Sequence, residues 1–384
     1  MKTTRLVHLA LALSLIPALS VFTACSSKHD SPGPSGGAGS AGAPNSNEAG
    51  ASAAGGPATS VDCSSIPASP WDAGVSGTSD GKPFIFYPAL ENCAVGDYQG
   101  TGAYVAQIAP LVSGGYQADL LHEFAKASDM PVAVLQGAAS GDSVSFTGSG
   151  WTAQLQQGHL TGKNGAESFD LQFLDRASAT LGQAPPEGAT VLFDGSNLDA
   201  WAKKDGADWL KQAGAAPWTL VDGAVEVVPG SDGIITKQSF GDMHLHLEYR
   251  TQGSPTNSGI LLEARYESNI NETYGSYNKS PGGGFDNCTP ATAKLQQRAA
   301  RPPLAWQTLD IDFVAPRFDA TNKKTASAKA TVELNGVRIY DQMQLDPPTG
   351  AAQRLGEAAT GPLMLQEHGM KLQFRNIWLT QPTQ

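Results

Sequence analysis

The feature that most constrains the fold is the strict alternation of apolar and polar side chains along residues 243–250. The apolar side chains of this run are Met243, Leu245, Leu247 and Tyr249, and the polar ones are His244, His246, Glu248 and Arg250. Successive side chains of an extended strand point to opposite faces, so the run predicts a β-strand with one face on a core. The other face is then open to solvent or to a ligand.

Hairpin signals predict further strands beside this one. Asp222-Gly223 and Asn335-Gly336 each lie between short runs rich in β-branched or aromatic residues, a pattern typical of a two-residue β-turn. Residues 306–313 alternate as well. With 43 glycines and 25 prolines among 384 residues, the chain is poorly suited to long helices. We therefore predict an all-β, antiparallel two-sheet sandwich or jelly roll over residues 186–382.

A second, smaller β-rich module is predicted over residues 61–182. Short runs punctuated by Gly and Ser predict an antiparallel meander with strands at residues 102–108, 132–136, 144–147, 151–156 and 168–174. Apolar residues at helical spacing predict a helix over residues 116–127. Because no cluster of titratable side chains stands out here, we interpret this module as a helper or ligand-positioning module.

The N-terminal segment has the features of a secretory signal. Residues 1–24 combine the cations Lys2 and Arg5 with a short apolar run, and Pro17 favours a cleaved signal over a transmembrane anchor. The residues before Cys25 resemble a bacterial lipobox, which implies that Cys25 carries a lipid after cleavage. Residues 25–60, rich in Gly, Ala, Ser and Pro, predict a flexible tether. We expect an exported lipoprotein of the outer membrane, periplasm or cell surface, attached to the membrane only by its lipid.

Export also permits disulfide bonds among the remaining cysteines, Cys63, Cys93 and Cys288. Cys63–Cys93 is the preferred pair because both residues border the first module, which leaves Cys288 as a free or buried thiol; other pairings stay open. The formal net charge is −11 and no Lys/Arg block occurs. The composition therefore argues against a nucleic-acid partner.

A set of spaced motifs carries a family resemblance. In chain order these motifs are Leu192-Phe193-Asp194-Gly195, Phe240-Gly241-Asp242, Asn257-Ser258-Gly259-Ile260, Arg265-Tyr266-Glu267, Ala305-Trp306-Gln307-Thr308, Leu334-Asn335-Gly336-Val337, Leu365-Gln366-Glu367-His368-Gly369 and Phe374-Arg375-Asn376-Ile377-Trp378. Together they resemble the 3-keto-disaccharide hydrolase family over residues 190–380, which implies a concanavalin A-like jelly roll. The sequence departs from the family after Glu267, where Asn269 replaces the usual Gln and Glu272 replaces the usual Asp.

The resemblance implies cleavage of 3-keto-glycosides by elimination. The carbonyl at C3 of such a sugar makes the C2 proton acidic, and removal of that proton gives an enolate that expels the group at C1. Water then adds to the resulting 2-hydroxy-3-keto-glucal, so the net reaction is hydrolysis. The site needs a base near C2, a cation or donor at the C3 oxygen, and an acid at the leaving oxygen. We expect no cofactor for this step.

The motifs supply candidates for each role. Glu267 is the first candidate for the base, and Glu248 and His368 are the other catalytic candidates. The substrate-binding candidates are Arg250, Asn257, Asn269, Gln366, Arg375 and His246, with Arg250 on the enolate oxygen. We expect one cavity on one concave sheet to gather Glu248, Arg250, Glu267, Gln366 and His368.

Structural interpretations of the same residues stay open. Glu267 fits a solvated outer face with an arginine partner, and Glu248 and Arg250 fit a cross-strand salt bridge. His368 fits a hydrogen bond to a neighbouring loop, and Asn257 fits a turn. A divalent metal at His244, His246 and Glu248 has suitable strand spacing, although polar strand faces produce such trios by chance.

Three functions are compatible with these patterns. The first is an exported hydrolase or lyase of 3-keto-glycosides, whose partner is a 3-keto sugar. The second is a lectin-like, carbohydrate-binding envelope lipoprotein without catalysis. The third is an adhesion or scaffold protein of the cell envelope that uses the same sandwich.

Overall fold

The computed structural model of the chain describes residues 76–79, 82–86, 94–111, 114–124, 130–251, 253–254, 256–275, 284–285, 298–346 and 348–382. The predicted signal peptide, the tether and all four cysteines (Cys25, Cys63, Cys93 and Cys288) lie outside these residues. Within the described ranges no helix is long and apolar enough to cross a membrane.

The first module contains a closed antiparallel barrel of eight strands, preceded by the hairpin β1 (Ser76–Ser79) and β2 (Lys82–Phe86). The barrel strands are β3 (Gly96–Gln99), β4 (Val105–Pro110), β5 (Tyr116–Leu121), β6 (Ala133–Ser140), β7 (Ser143–Gly148), β8 (Trp151–Gln156), β9 (His159–Asn164) and β10 (Glu167–Leu174). Each strand pairs with the next, and β10 closes the ring on β3. Tyr98, Tyr116, Phe146 and Leu155 are fully buried in one core cluster, so side chains fill the interior, as in other small barrels.

The helix predicted for residues 116–127 is wrong, because Tyr116–Leu121 forms strand β5 between β4 and β6. Both faces of β5 are buried: Tyr116, Ala118 and Leu120 on one face, and Asp119 and Leu121 on the other. Residues 116–120 alternate between apolar and polar side chains, which is the period of a strand, and pairing with β4 and β6 prevails over the helical spacing of the apolar residues in this segment.

The second module is the predicted sandwich, and the all-β fold class is confirmed. Its eight-stranded sheet follows the order β14 (Thr219–Val221), β15 (Ala224–Glu226), β27 (Leu372–Thr380), β17 (Met243–Thr251), β21 (Gln307–Val314), β24 (Ala328–Leu334) and β25 (Val337–Leu345), with β11 (Thr190–Phe193) also on β27. Its six-stranded sheet follows the order β13 (Gln212–Ala215), β12 (Trp201–Lys204), β16 (Ile234–Phe240), β26 (Gly361–Leu365), β19 (Asn257–Leu262) and β20 (Tyr266–Asn271). The smaller elements are β18 (Gly253–Ser254), β22 (Arg317–Phe318), β23 (Lys324–Ala326) and the 3₁₀ helix Gly350–Leu355.

The two sheets enclose the main core. Leu245 and Leu247 of β17 and Ile260 and Leu262 of β19 belong to the same buried cluster. A second cluster of Ile235, Leu261, Ala264, Ala352 and Met364 lies on the outer face of the six-stranded sheet, beneath the 3₁₀ helix. Each sheet therefore has one face on the core and one outer face.

Both predicted hairpin turns are confirmed. Asp222 and Gly223 have φ of 49° and 75°, and Asn335 and Gly336 have φ of 52° and 74°. Two consecutive residues with positive φ define the turn whose twist matches paired strands, and Asn-Gly and Asp-Gly tolerate that conformation best.

A buried ionic contact joins the barrel to the sandwich. Asp97, Gln107 and Asp119 are cross-strand neighbours on the barrel wall. Arg298 donates from Nη1 to Gln107 Oε1 at 2.6 Å and to Asp119 Oδ2 at 3.0 Å. Arg176 donates from Nε to Asp97 Oδ2 at 2.6 Å. Since paired charges of this kind are costly to separate once buried, the barrel is held firmly against the second module.

Candidate functional site

Glu248 lies on the outer face of the eight-stranded sheet and is fully buried there. Its carboxylate accepts hydrogen bonds from the Gly182 N–H at 2.6 Å, Arg375 Nε at 2.6 Å and Asn376 Nδ2 at 2.9 Å. Burial alone would raise the pKa of Glu248, but hydrogen bonds from His246, Asn376, Gly182 and Arg375 lower it to about 2. Glu248 therefore holds the connector between the modules, and its predicted position in an open cavity is wrong.

His246 is buried beside it. Its Nδ1 lies 2.6 Å from Asp310 Oδ1, its Nε2 lies 3.7 Å from Glu248 Oε1, and its ring stacks on Trp378 with 4.8 Å between centroids. Burial would lower the pKa of His246, but hydrogen bonds to Asp310 and Glu248 raise it to about 8. Thr180 of the connector donates to Asp310 and helps to cover this face. A fully covered ring is not available to a substrate, so the predicted binding role of His246 is wrong.

His244 completes the trio considered for a metal. Its Nδ1 lies 2.8 Å from Asp312 Oδ1, away from the partners of His246 and Glu248. Among the described residues no group of three or more His, Cys, Asp or Glu side chains could hold a metal ion.

Arg250 and Arg375 do come together, on this same outer face. Their guanidinium carbons lie 4.8 and 4.1 Å from the centroid of the Trp306 indole. Arg250 also donates from Nε to Gln373 Oε1 at 2.6 Å. Stacking of guanidinium groups on an indole stabilises such a surface cluster.

Glu267 lies on the opposite side of the sandwich. It is directly opposite Leu261 in the β19–β20 register, and Leu261 belongs to the outer apolar cluster of the six-stranded sheet. Its neighbour Tyr266 points inward, with its ring 5.7 Å from that of Phe313 in the core. Because consecutive strand residues face opposite ways, the Glu267 side chain points outward.

The Glu267 carboxylate lies over Gly259. A Cβ added to Gly259 would sit 2.6 Å from Glu267 Oε1 and 2.8 Å from its Cγ, closer than atoms can pack. The backbone N–H of Glu267 donates to Thr349 Oγ1 at 2.6 Å, which anchors this part of β20. The absence of a side chain at residue 259 therefore makes room for the carboxylate.

Two carboxamides flank this position. Asn269 is directly opposite Gly259 on β20, and on the other side the Gln366 N–H donates to the Gly259 carbonyl at 2.9 Å. The Gln366 Oε1 is buried and has no hydrogen-bond partner among the described residues.

Asn257 shares the outward face of β19, and His368 is exposed just beyond the end of β26. Four candidates, Glu267, Asn269, Gln366 and Asn257, thus share the outer face of three adjacent strands.

The predicted convergence of Glu248, Arg250, Glu267, Gln366 and His368 on one cavity is wrong. Glu248, Arg250, His246 and Arg375 lie on the outer face of the eight-stranded sheet, and the main core separates them from Glu267. Arg250 therefore cannot stabilise an enolate formed at Glu267.

The outer face of the six-stranded sheet carries the groups that sugar chemistry requires. A carboxylate lies next to side-chain amides that both donate and accept hydrogen bonds, as sugar hydroxyls do. Sequence reasoning missed Thr349, which contacts β20 from a distant loop. No local motif marks this residue.

The chain belongs to the family described as the 3-keto-alpha-glucoside-1,2-lyase-like domain, which matches residues 188–380. This membership makes the second module a carbohydrate-active, hydrolase-like domain. No curated protein sequence matches the chain significantly.

Three solved structures are similar to the chain, and each is described as a candidate glycosyl hydrolase from Parabacteroides distasonis. The first is 29% identical in sequence, and the matched region covers 52% of this chain and 86% of that structure's chain, with a TM-score of 0.44. The second is 18% identical, and the matched region covers 51% of this chain and 95% of that structure's chain, with a TM-score of 0.33. The third is 21% identical, and the matched region covers 50% of this chain and 99% of that structure's chain, with a TM-score of 0.34.

Proposed function

We propose that the protein cleaves 3-keto-glycosides by elimination, with Glu267 as the base that removes the C2 proton. The observation that carries this proposal is the Glu267 carboxylate lying over bare backbone at Gly259, on one face with Gln366 and Asn269. Family membership supplies the substrate class. A carbon acid reacts only with a closely placed base, and the glycine gives the carboxylate room to hold its position.

The reaction proceeds without a change of redox state. Glu267 takes the C2 proton, and the electrons of the C–H bond form an enolate with its charge on the C3 oxygen. The enolate collapses, the bond from C1 to the glycosidic oxygen breaks, and the leaving oxygen takes a proton. Water then adds across the new double bond between C1 and C2, which gives the free 3-keto sugar.

Other residues of the same face fit the remaining roles. The side-chain amides of Gln366 and Asn269 carry N–H donors that can stabilise the enolate oxygen. His368 is exposed just beyond the end of β26, and an imidazole ring can both accept and donate a proton, so it suits proton transfer to the leaving oxygen. Asn257 is placed to bind a sugar hydroxyl.

Glu267→Gln tests the proposal, because it keeps the shape of the side chain and removes the base. We expect turnover of 3-keto-methyl glucoside to fall about a hundredfold or more, the usual scale for loss of a general base. Deuterium from the solvent should enter C2 with the wild-type protein only. Glu333→Gln is the matched control, since Glu333 lies on the eight-stranded sheet and pairs with Arg338.

Full activity of Glu267→Gln would show that another group removes the proton. Cleavage of ordinary glycosides by the wild-type protein would exclude elimination, because these sugars lack the acidic C2 proton.

A non-catalytic, lectin-like function is the second candidate. The position of Glu272, which replaces the usual Asp of the family, favours this function. The Glu272 carboxylate accepts hydrogen bonds from Thr251 Oγ1 and the Tyr274 N–H, so it is turned away from Glu267. Sugar binding without turnover of any 3-keto-glycoside would support this function over the enzyme.

We also propose that the protein is exported and lipidated at Cys25, on the basis of the lipobox-like sequence. Mass spectrometry of the mature protein should find a diacylglyceryl group on an N-terminal Cys25. A mature chain that lacks Cys25 would contradict this proposal.

A further inference from the structure

Arg250 and Arg375 are neighbours on the outer face of the eight-stranded sheet, on the side of the sandwich away from Glu267. Arg250 of β17 is directly opposite Gln373 of β27, and Arg375 follows two residues further along β27. Diagonal neighbours of this kind are about 7–8 Å apart, and residues two apart on a strand point to the same face. Both guanidinium groups therefore project from one face.

The indole of Trp306 brings the two guanidinium groups together. Their Cζ atoms lie 4.8 and 4.1 Å from the centroid of this ring. Because these two distances limit the separation of the two carbons, Arg250 Cζ and Arg375 Cζ are no more than about 9 Å apart. Two guanidinium groups this close can share one oxyanion, since each forms N–H···O bonds of about 2.8 Å to a different oxygen.

Most of the hydrogen-bond donors of the two groups have no acceptor in the protein. Arg250 uses Nε to reach Gln373 Oε1, and Arg375 uses Nε to reach Glu248 Oε2, each at 2.6 Å. Among the described residues, the terminal Nη atoms of Arg250 and Arg375 have no hydrogen-bond or ion-pair partner. The Arg375 side chain is 34% exposed, and Arg250 is half-buried. Each guanidinium therefore offers four N–H donors to a ligand.

The charge of Arg250 has no close counter-ion in the part of the chain that the structure describes. The carboxylate of Glu248 balances Arg375, with 2.6 Å between Oε2 and Nε. Two carboxylates act on Arg250 from a greater distance, those of Asp222 and Glu226. Neither forms an ion pair with Arg250, so the cluster carries one positive charge in excess.

This excess charge is costly where it lies. Glu226 is bound to Lys371 at 2.7 Å, so its charge is already balanced. Burial, reinforced by the like charge of Arg375, lowers the pKa of Arg250, which means that the surroundings disfavour its charged form. A bound anion would remove this cost, and carboxylates and phosphates match the planar fork of donors of an arginine.

We propose that Arg250 and Arg375 form a binding site for one oxyanion, the carboxylate of an acidic sugar or a phosphate group, on the face of the sandwich opposite Glu267. The Nη groups of both residues donate to the anion, and the Trp306 indole holds the two guanidinium groups in position. The site is independent of the reaction proposed at Glu267, because the main core separates the two faces.

Calorimetry of the purified protein tests the proposal, in a phosphate-free buffer of low ionic strength with glucuronate, inorganic phosphate and glucose as probes. We expect the wild-type protein to bind glucuronate, phosphate or both, and Arg250→Gln to weaken that binding about tenfold or more, the effect of one lost charge-assisted hydrogen bond. Arg338→Gln is the matched control and should bind as the wild type does, since Arg338 lies on the same sheet and pairs with Glu333 at 3.0 Å.

Arg250→Lys is a second variant that keeps the positive charge. It should also weaken binding, because an ammonium group cannot form two parallel hydrogen bonds to one oxyanion. Binding of glucuronate alone would identify the carboxylate of an acidic sugar as the ligand, and binding of phosphate alone or of both anions would identify a small oxyanion without a sugar.

Three results would overturn the proposal. The first is that the wild-type protein binds neither anion. The second is that either Arg250 variant binds as tightly as the wild type. The third is equal binding of glucose and glucuronate, which would show that the sugar ring is bound and not its charge.

Discussion

The carboxyl group of Glu263 should make the stability of the protein fall as pH rises. Glu263 is fully buried in the turn between β19 and β20 and has a φ of 54°. Neither of its carboxyl oxygens has a hydrogen-bond partner among the described residues. The charged groups that face it are Arg265 and Arg317, which favour its ionisation, and Asp242 and Glu357, which oppose it. Arg265 donates instead to the backbone carbonyl of Glu263.

Burial, reinforced by these two acidic residues, raises the pKa of Glu263 from 4.5 to about 8. The folded protein therefore keeps this carboxyl protonated at neutral pH, whereas the unfolded chain ionises above pH 4.5. The stability contributed by the protonated group is complete below about pH 4.5 and is lost progressively until about pH 8. At about 1.36 kcal/mol per pH unit, the loss across this window is up to about 5 kcal/mol.

Glu263→Gln removes the ionisation and should remove this pH dependence. Urea unfolding of both proteins between pH 5 and pH 9 measures it. The free energy of unfolding of the wild-type protein should fall steeply, and that of the variant should fall less and exceed it at pH 9. The fall that remains in the variant includes the part due to His246, whose pKa is raised from 6.5 to about 8 in both proteins. Glu333→Gln, at an exposed ion pair, should follow the wild-type curve. Parallel curves for the wild type and Glu263→Gln would refute the reasoning.

Two further predictions concern the two outer faces. Glu248→Gln leaves Arg375 and His246 without their buried carboxylate, so the free energy of unfolding in urea should fall by about 3 kcal/mol. Turnover of a 3-keto-glycoside at 25 °C should not change. A loss of activity without a loss of stability would show that Glu248 belongs to the active site. Gly259→Ala places a methyl group 2.6 Å from Glu267 Oε1, so turnover should fall about a hundredfold through misplacement of the base. Gly206→Ala, with no atom within 4 Å of the new methyl group, is its control, and equal activities of the two variants would contradict the position of Glu267.

Local signals predicted the elements that local physics determines. The Asp222-Gly223 and Asn335-Gly336 turns, and strand β8 at Trp151–Gln156 with its alternating burial, agree with the sequence because each depends on a few neighbouring residues. Strands β3 and β9 were missed, since Gly96–Gln99 and His159–Asn164 are short or polar and become strands through pairing within the barrel.

The sequence by itself determined that the second module is an antiparallel sandwich, which family it belongs to, and that Glu267 alternates with a buried Tyr266. Only the tertiary structure decided which polar strand face is open. Alternation with a period of two is a local property, and it shows that one face differs from the other. Whether that face meets water or another segment depends on contacts between distant residues. The connector reaches Glu248 through Gly182, 66 residues away in sequence, and covers it, whereas Glu267 on the other sheet is only half-buried and lies over Gly259.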